Sequence, residues 1–90
     1  MGINLCLQTL SCKDHPDWDW GRHAGDKEFV KLSFDLPTIR SGHDGEYTRP
    51  TDFAVWRAAV EKAELPNPGR HEKFLDLLEA DENYWIYVSY

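Results

Sequence analysis

The sequence predicts a small two-layer α+β domain, in which two helices pack on one face of an antiparallel sheet of about three strands. Three observations support this fold class: a length of 90 residues, alternating apolar and polar residues near both ends, and two helical patterns between them. A chain of 90 residues is expected to form one domain over 1–90, because each of two smaller cores would be below the size that folds unaided. The expected order of elements is β-β-α-α-β.

The composition is typical of a folded protein. Hydrophobic residues make up 41% of the chain, charged residues 29% and aromatic residues 13%, unlike the composition of disordered chains. Aromatic rings bury a large area per residue and therefore suit a core with room for few side chains. A core this small often gains stability by self-association, so a second copy of the chain is one expected partner.

The net charge of −6 limits the partners that the chain can bind. Binding to nucleic acid through its phosphates requires clustered Lys and Arg, and so does binding to an anionic membrane surface. No apolar run approaches the roughly 18 residues that span a bilayer, and the opening segment lacks the basic region of a signal peptide. We therefore expect a soluble, cytoplasmic protein that binds neither nucleic acid nor membranes.

Residues 3–10 are predicted to form the first strand. Ile3, Leu5 and Leu7 alternate with polar or small residues, which is the period of two that marks a strand with one buried face. The next segment, 11–27, is polar and has no sustained period. A connection this long in a small domain is usually functional or flexible.

Both cysteines are expected to be reduced. In an extended strand, the chain from Cys6 to Cys12 covers roughly 20 Å. This separation is larger than a disulfide tolerates unless the chain turns sharply between the two residues.

Residues 29–36 fit two patterns, of which we favour a strand. Val30, Leu32 and Phe34 alternate with polar residues, as expected for a strand. As a helix capped near Asp26, the same segment places most of its apolar residues on one side but leaves Phe34 out. The following proline ends the element, because proline cannot donate to a β ladder.

Residues 38–50 are expected to form a loop, because glycines and a final proline punctuate the stretch. It contains Ser41, His43 and Asp44, which are the residue types of a hydrolytic triad. The members of a triad converge from separate places in a fold. Neighbours in sequence therefore indicate a solvated turn here rather than a catalytic site.

A helix is predicted to follow Pro50. Thr51 or Asp52 can cap its first free N–H groups, and Pro66 stops it. The apolar residues of this helix fall at helical spacing: Phe53, Trp56, Val60 and Ala63.

A second helix is predicted from Pro68 to about Ala80. Proline is tolerated in the first turn of a helix, where its missing N–H costs nothing, and Asn67 can serve as the cap. The buried side of this helix is expected to be formed by Phe74, Leu75, Leu77 and Leu78.

Residues 84–90 are predicted to form the last strand. Tyr84, Ile86 and Val88 share one face and alternate with a second set of rings and a serine. A strand this rich in rings would be a hazard as an exposed edge. We expect it in the interior of the sheet, beside 3–10, or at a contact between two copies of the chain.

The segment 14–23 is a candidate binding surface. It holds two His, three Asp, two Trp and one Arg, and Trp and Arg dominate the energetics of protein interfaces. The alternative is that the two indoles fold back over an edge of the core while the acids solvate the turn. The candidate residues of this surface are His15, Asp17, Trp18, Asp19, Trp20, Arg22 and His23.

A metal or catalytic site in the same segment is a further possibility. Cys12, His15 and His23 with an Asp are suitable ligand types, but their spacing matches no paired-ligand pattern. A nearby carboxylate such as Asp17 or Asp19 can also orient a catalytic imidazole. No nucleophile elbow, phosphate loop or paired-ligand helix accompanies these residues, so the sequence predicts no metal and no cofactor.

An acidic patch is predicted on the second helix and just beyond it, formed by Glu72, Asp76, Glu79, Asp81 and Glu82. Negative charge is unfavourable at a helix C-terminus, and like charges at i and i+4 repel each other. Three interpretations of these acids follow: they provide solubility, they pair with Lys73 or nearby arginines, or they bind a basic partner.

The function most consistent with the sequence is that of a non-enzymatic protein-interaction module. Its expected partner is another protein, and a partner that binds the acidic patch is expected to be basic. The alternative is a small metal-binding protein or enzyme that uses His15, Asp17, Asp19 and His23. Whether the chain is an enzyme is left open by the residues, although the missing motifs favour binding.

Overall fold

The structure, a computed structural model, describes residues 4–19, 23–41 and 47–89 of the chain. The α+β class is confirmed, with one more strand and one more helix than predicted. The elements are, in order, β1 (Asn4–Thr9), α1 (Asp26–Ser33), β2 (Thr38–Arg40), β3 (Tyr47–Pro50), α2 (Phe53–Ala63), α3 (Pro68–Ala80) and β4 (Tyr84–Ser89).

The four strands form one antiparallel sheet in the order β1-β4-β3-β2. β4 lies in the interior, between β1 and β3, so the prediction that the last strand pairs with the first is confirmed. In this register Leu5 lies opposite Val88 and Leu7 lies opposite Ile86. Residues that lie opposite each other share a face of the sheet, and these four form its buried face.

The core lies between this face of the sheet and the helices. All three helices that the structure describes contribute to it, and the side chains in the middle of the cluster are almost completely buried. The helical members of the core are Phe29 and Val30 from α1, Trp56 and Val60 from α2, and Phe74, Leu75 and Leu78 from α3.

The outer edge of β1 is covered by the segment that follows it. The backbone N–H of His15 donates to the carbonyl of Leu7 at 2.9 Å, and the indole N–H of Trp18 donates to the carbonyl of Leu5 at 3.3 Å. An exposed strand edge presents unpaired backbone groups that invite association. The loop therefore protects β1 and is held against it.

α1 corrects the prediction of a strand over 29–36. The buried positions Phe29, Val30 and Ser33 have the spacing of one helical face, while Phe34 is 54% exposed just beyond the helix. Acidic side chains in the first turn, at Asp26 and Glu28, also favour a helix N-terminus. The alternation in the sequence was misleading because Phe34 is not a core residue.

The prediction of a loop over 38–50 is also wrong at both ends. β2 pairs with β3, with Thr38 opposite Pro50, and β3 pairs with β4, with Tyr47 opposite Tyr87. Strands of three and four residues are too short to display a period of two. Residues 42–46, which include His43 and Asp44 of the expected solvated turn, lie outside the described residues.

α2 and α3 lie close to their predicted positions. Asp52 is the N-cap of α2, and its Oδ1 accepts hydrogen bonds from the backbone N–H groups of Ala54 at 3.0 Å and Val55 at 3.3 Å. Pro68 lies in the first turn of α3, as predicted. None of the helices in the described ranges has the length and apolar character required to cross a bilayer.

The expected cap of α3 functions differently. Asn67 precedes the helix in the left-handed conformation, and its side chain makes no capping hydrogen bond. Its amide Nδ2 instead donates to the carbonyl of Ala24 at 2.6 Å. Asn67 therefore joins the α2–α3 connection to the chain just before α1.

Replacement of the α2 cap tests this assignment. Asp52→Ala is expected to lower the free energy of unfolding by about 1 kcal/mol, because two N–H groups lose their acceptor. Thr51→Ala removes the other candidate cap and is expected to change stability by less than about 0.5 kcal/mol. Urea unfolding of both variants measures the difference, and equal losses would contradict the assignment.

Candidate functional site

The segment 14–23 was the first candidate site, and Trp18 within it is a core residue. Its side chain is 5% exposed, and its ring lies 4.7 Å from that of Phe74 in a tilted arrangement. Trp18 therefore does not present an interaction surface. Trp20 and Arg22 lie outside the described residues.

A buried ion pair holds this segment in place. Arg70 of α3 binds Asp26 of α1 through both carboxylate oxygens, with Nε 2.9 Å from Oδ1 and Nη2 3.0 Å from Oδ2. The side chain of Asp26 is 1% exposed and that of Arg70 is 16% exposed. The guanidinium also lies 4.1 Å from the centre of the Trp18 ring. Paired and stacked in this way, Arg70 completes the core beside the indole.

The same pair fixes both ends of the stretch that precedes α1. Arg70 Nη2 donates to the carbonyl of Asp19 at 3.1 Å, and the backbone N–H of His23 donates to Asp26 Oδ2 at 3.3 Å. Several of the unusual residues in 14–23 therefore have structural contacts. The role of Arg70 could not be predicted from the sequence, because its partners are far away along the chain.

The two histidines of the segment lie apart from each other. His15 accepts a hydrogen bond at Nδ1 from the N–H of Asp17 at 3.0 Å, and its ring centre is 4.5 Å from that of Tyr84. His23 Nε2 is 3.5 Å from Asp19 Oδ2, where both side chains are well exposed. Within the described ranges, no three His, Cys, Asp or Glu side chains gather in a way that could hold a metal ion.

The two cysteines form no disulfide, in agreement with the prediction. Cys6 is buried, and this burial, together with the nearby charge of Asp14, raises the pKa of its thiol to about 11. A thiol with such a pKa is almost entirely protonated at neutral pH and is a poor nucleophile. Cys12 is exposed, with its sulfur 3.2 Å from the hydroxyl of Tyr47.

Two members of the predicted acidic patch pair with one arginine, which balances part of their charge. Arg57 of α2 lies 2.8 Å from Asp76 and 2.9 Å from Glu79, both on α3. The hydrogen bond that Arg57 donates to Glu79 is the main reason why the pKa of Arg57 is raised. The interpretation that nearby arginines pair with these acids is therefore confirmed for Asp76 and Glu79.

Two further members stabilise the turn between α3 and β4. Asp81 Oδ1 accepts from the N–H of Asn83 at 2.9 Å, and its carbonyl accepts from Arg49 Nη1 at 3.2 Å. Burial lowers the pKa of Arg49, and the charges of Glu82 and Asp81 oppose that effect. Asp81 and Glu82 therefore lie near Arg49, which is half-buried and also donates to the carbonyl of Tyr84 at 2.6 Å.

The fifth member, Glu72, belongs to a different surface, which we call the α2–α3 groove. This groove has a volume of about 350 Å³ and lies between the end of α2 and the beginning of α3. It combines an apolar floor with an acidic rim. The lining consists of Val60, Leu65 and Pro68, which are apolar, and Glu61, Glu64 and Glu72.

The carboxylates of the groove carry unbalanced charge. Glu61, Glu64 and Glu72 are exposed, and none of them forms an ion pair with another described residue. Glu61 and Glu64 lie at the C-terminal end of α2, where the helix dipole disfavours negative charge by about 0.3–1 kcal/mol. A cation at this end of α2 would therefore interact favourably with the helix dipole and with these carboxylates.

Glu64 adds a second local cost at the groove. It follows the last residue of α2 with a φ of 52°, the left-handed conformation that glycine and asparagine adopt most easily. Helix stability alone would favour glycine at this position. The sequence did contain Glu61 and Glu64 beside Pro66, but their proximity to Glu72 depends on how α2 and α3 pack.

The buried ion pair can be tested against an exposed one. Asp26→Asn removes one carboxylate charge and is expected to lower the free energy of unfolding by about 3–5 kcal/mol, because Arg70 keeps a buried charge without its counter-ion. The matched change Glu79→Gln at the exposed pair with Arg57 is expected to cost less than about 1 kcal/mol. Urea unfolding compares the two, and similar losses would mean that the Asp26–Arg70 pair does not organise the fold.

Comparison with known proteins identifies no family for this chain. The chain matches no protein-family model, no curated protein and no solved structure. The function must therefore be inferred from the geometry and charge of the chain itself.

Proposed function

We propose that this protein is a non-enzymatic interaction module that binds a basic segment of another protein in the α2–α3 groove. The observation that carries the proposal is an apolar floor beneath three carboxylates that form no ion pair with any residue in 4–19, 23–41 or 47–89. An acidic patch that served only solubility would have no need of an apolar cavity beneath it.

A lysine or arginine side chain has the chemistry that this groove requires. Its aliphatic stem can lie on apolar surface while its charged head remains at the polar rim. The stem would contact Leu65 and Pro68, and the head would lie among the three glutamates. The volume of about 350 Å³ is near the lower end of the range for small-molecule sites, about 300–1,000 Å³, which suits a side chain better than a large cofactor.

The charge of the whole molecule supports the same partner. The net charge of −6 attracts a basic protein from a distance and repels acidic ones, so it raises the rate of encounter. Each exposed charge pair contributes at most about 1 kcal/mol, so a short segment binds weakly. Its affinity is also expected to fall as salt is added.

The segment 14–23 supports this function less than the groove does. Trp18 is buried, and the backbone at Asp19 and His23 is bound to the Asp26–Arg70 pair. The alternative of a metal-binding protein or enzyme that uses His15, Asp17, Asp19 and His23 gains no support either, since the two imidazoles have separate neighbours.

A short fluorescent peptide of alternating Lys and Gly tests the groove. The triple variant Glu61→Gln, Glu64→Gln, Glu72→Gln is expected to weaken binding about tenfold or more, because three favourable charge pairs are lost. The matched control, Asp76→Asn, Glu79→Gln, Glu82→Gln, removes the same charge from α3 and the turn after it. It is expected to weaken binding less than about threefold. Fluorescence anisotropy measures both affinities.

Two outcomes would contradict the proposal. Equal weakening by both triple variants would mean that the peptide responds only to the net charge of the protein. No binding by the wild-type protein at low salt would reject the groove as a site for basic segments.

A second peptide tests the apolar floor of the groove. Replacing Lys by 2,4-diaminobutyric acid retains the positive charge but removes half of the aliphatic stem. Since each buried methylene contributes about 0.8 kcal/mol, the shorter side chain is expected to bind several-fold more weakly to the wild-type protein. Equal affinity for the two peptides would mean that the floor makes no contact with the stem.

A further inference from the structure

His71 joins three parts of the chain behind the α2–α3 groove. Its ring is 1% exposed and stacks on the ring of Phe29 in α1, with centres 5.0 Å apart and planes 4° from parallel. Its Nε2 lies 2.9 Å from the carbonyl oxygen of Pro66 in the α2–α3 connection. A Cβ at Gly25 would collide with that carbonyl and lie 2.9 Å from Nε2. The histidine is therefore enclosed.

The buried surroundings of His71 favour a neutral ring. A carbonyl oxygen only accepts, so Nε2 carries the proton and donates it to Pro66. Nδ1 is then an acceptor, and it is the one buried side-chain N or O in the described part of the chain that has no hydrogen-bond partner. A second proton would place a donor at Nδ1 with no acceptor and would bury a positive charge.

The charged groups that face His71 come from α1 and α3. Burial lowers the pKa of His71, and the charge of Arg70 acts in the same direction. The Pro66 carbonyl and the charges of Asp26 and Glu28 oppose this effect. Asp26 is bound to Arg70, and the positive charge of Arg70 offsets part of its effect on the ring.

We propose that the α2–α3 connection is an acid-sensitive hinge: protonation of His71 at Nδ1 drives the ring out of its buried site, which breaks its Nε2–H bond to Pro66 and opens the adjoining wall of the groove. Leu65 and Pro68 of the groove flank the released segment. Opening of the hinge therefore removes part of the apolar floor. The effect on binding rests on the function proposed above, whereas the opening itself does not.

The sign of the pH dependence follows from the neutral folded state. The closed form excludes the proton that an open, solvated histidine binds below its ordinary pKa of about 6.5. The stability of the closed form is therefore fully present above about pH 6.5 and falls as the solution becomes more acidic. Between about pH 7.5 and about pH 5.5, the population of the open form is expected to rise about tenfold.

Amide hydrogen exchange tests the hinge directly. The backbone amides of Arg70 and His71 donate to the carbonyl of Asn67. After correction for intrinsic exchange rates, the protection of these amides is expected to fall about tenfold from about pH 7.5 to about pH 5.5. In His71→Gln, the glutamine side chain retains a hydrogen-bond donor but does not titrate. The protection of the same two backbone amides is therefore expected to stay constant. His23→Gln removes an exposed histidine and is expected to keep the wild-type response.

Several results would overturn the hinge. One is an equal loss of protection in His71→Gln, and another is an equal loss at the β1 and β4 amides, which would indicate global unfolding. Proton NMR titration of the His71 ring gives a check that needs no variant at that position, and a pKa at or above the ordinary value would also reject the hinge.

Binding of the Lys-Gly peptide separates the hinge from the proposed function. At about ten times its dissociation constant, the peptide is expected to raise the protection of the Arg70 and His71 amides about tenfold, because it binds only the closed form. Protection that the peptide leaves unchanged would reject control of the groove by the hinge. No binding at either pH would reject the proposed function and leave the exchange results to decide the hinge.

Discussion

The ion pair between Asp26 and Arg70 is the interaction on which the arrangement of the helices depends. A buried carboxylate is costly unless its oxygens accept hydrogen bonds. Here the oxygens of Asp26 accept from Arg70 and from the His23 N–H. These bonds fix the start of α1 against the first turns of α3. The same contact brings His71 onto Phe29 and places the α2–α3 connection beside Gly25. The charge pair therefore holds α1 beside the α2–α3 connection, which forms one side of the groove.

The sequence was sufficient for the elements that are long or strongly patterned. β1, α2, α3 and β4 were predicted because each contains several repeats of its own period and a stop signal such as Pro66. α1 has eight residues, too few to separate a helical from an alternating pattern when Phe34 lies beside it. β2 and β3 are recognisable only through their partners in the sheet, which a local pattern does not contain.

The candidate site shows the same division between local and distant information. Residue types identified 14–23 and the acids of α3 as unusual, but the role of each depends on residues elsewhere in the chain. Trp18 is buried because it packs on Phe74 and beneath Arg70, and the charge of Asp76 and Glu79 is partly balanced because Arg57 pairs with both. Only the packing of α2 on α3 reveals that Glu72 shares a groove with Glu61 and Glu64.

The arginines determine where the negative charge of the surface remains available. Arg70 is used by Asp26, Arg57 by Asp76 and Glu79, and Arg49 by the turn after α3. The glutamates of the groove receive no arginine from the described residues. Two of them lie at a helix end that disfavours negative charge, beside apolar side chains. An uneven distribution of this kind favours a cationic partner over general solubility, because solubility requires only net charge, whereas binding requires charge and apolar surface in one place.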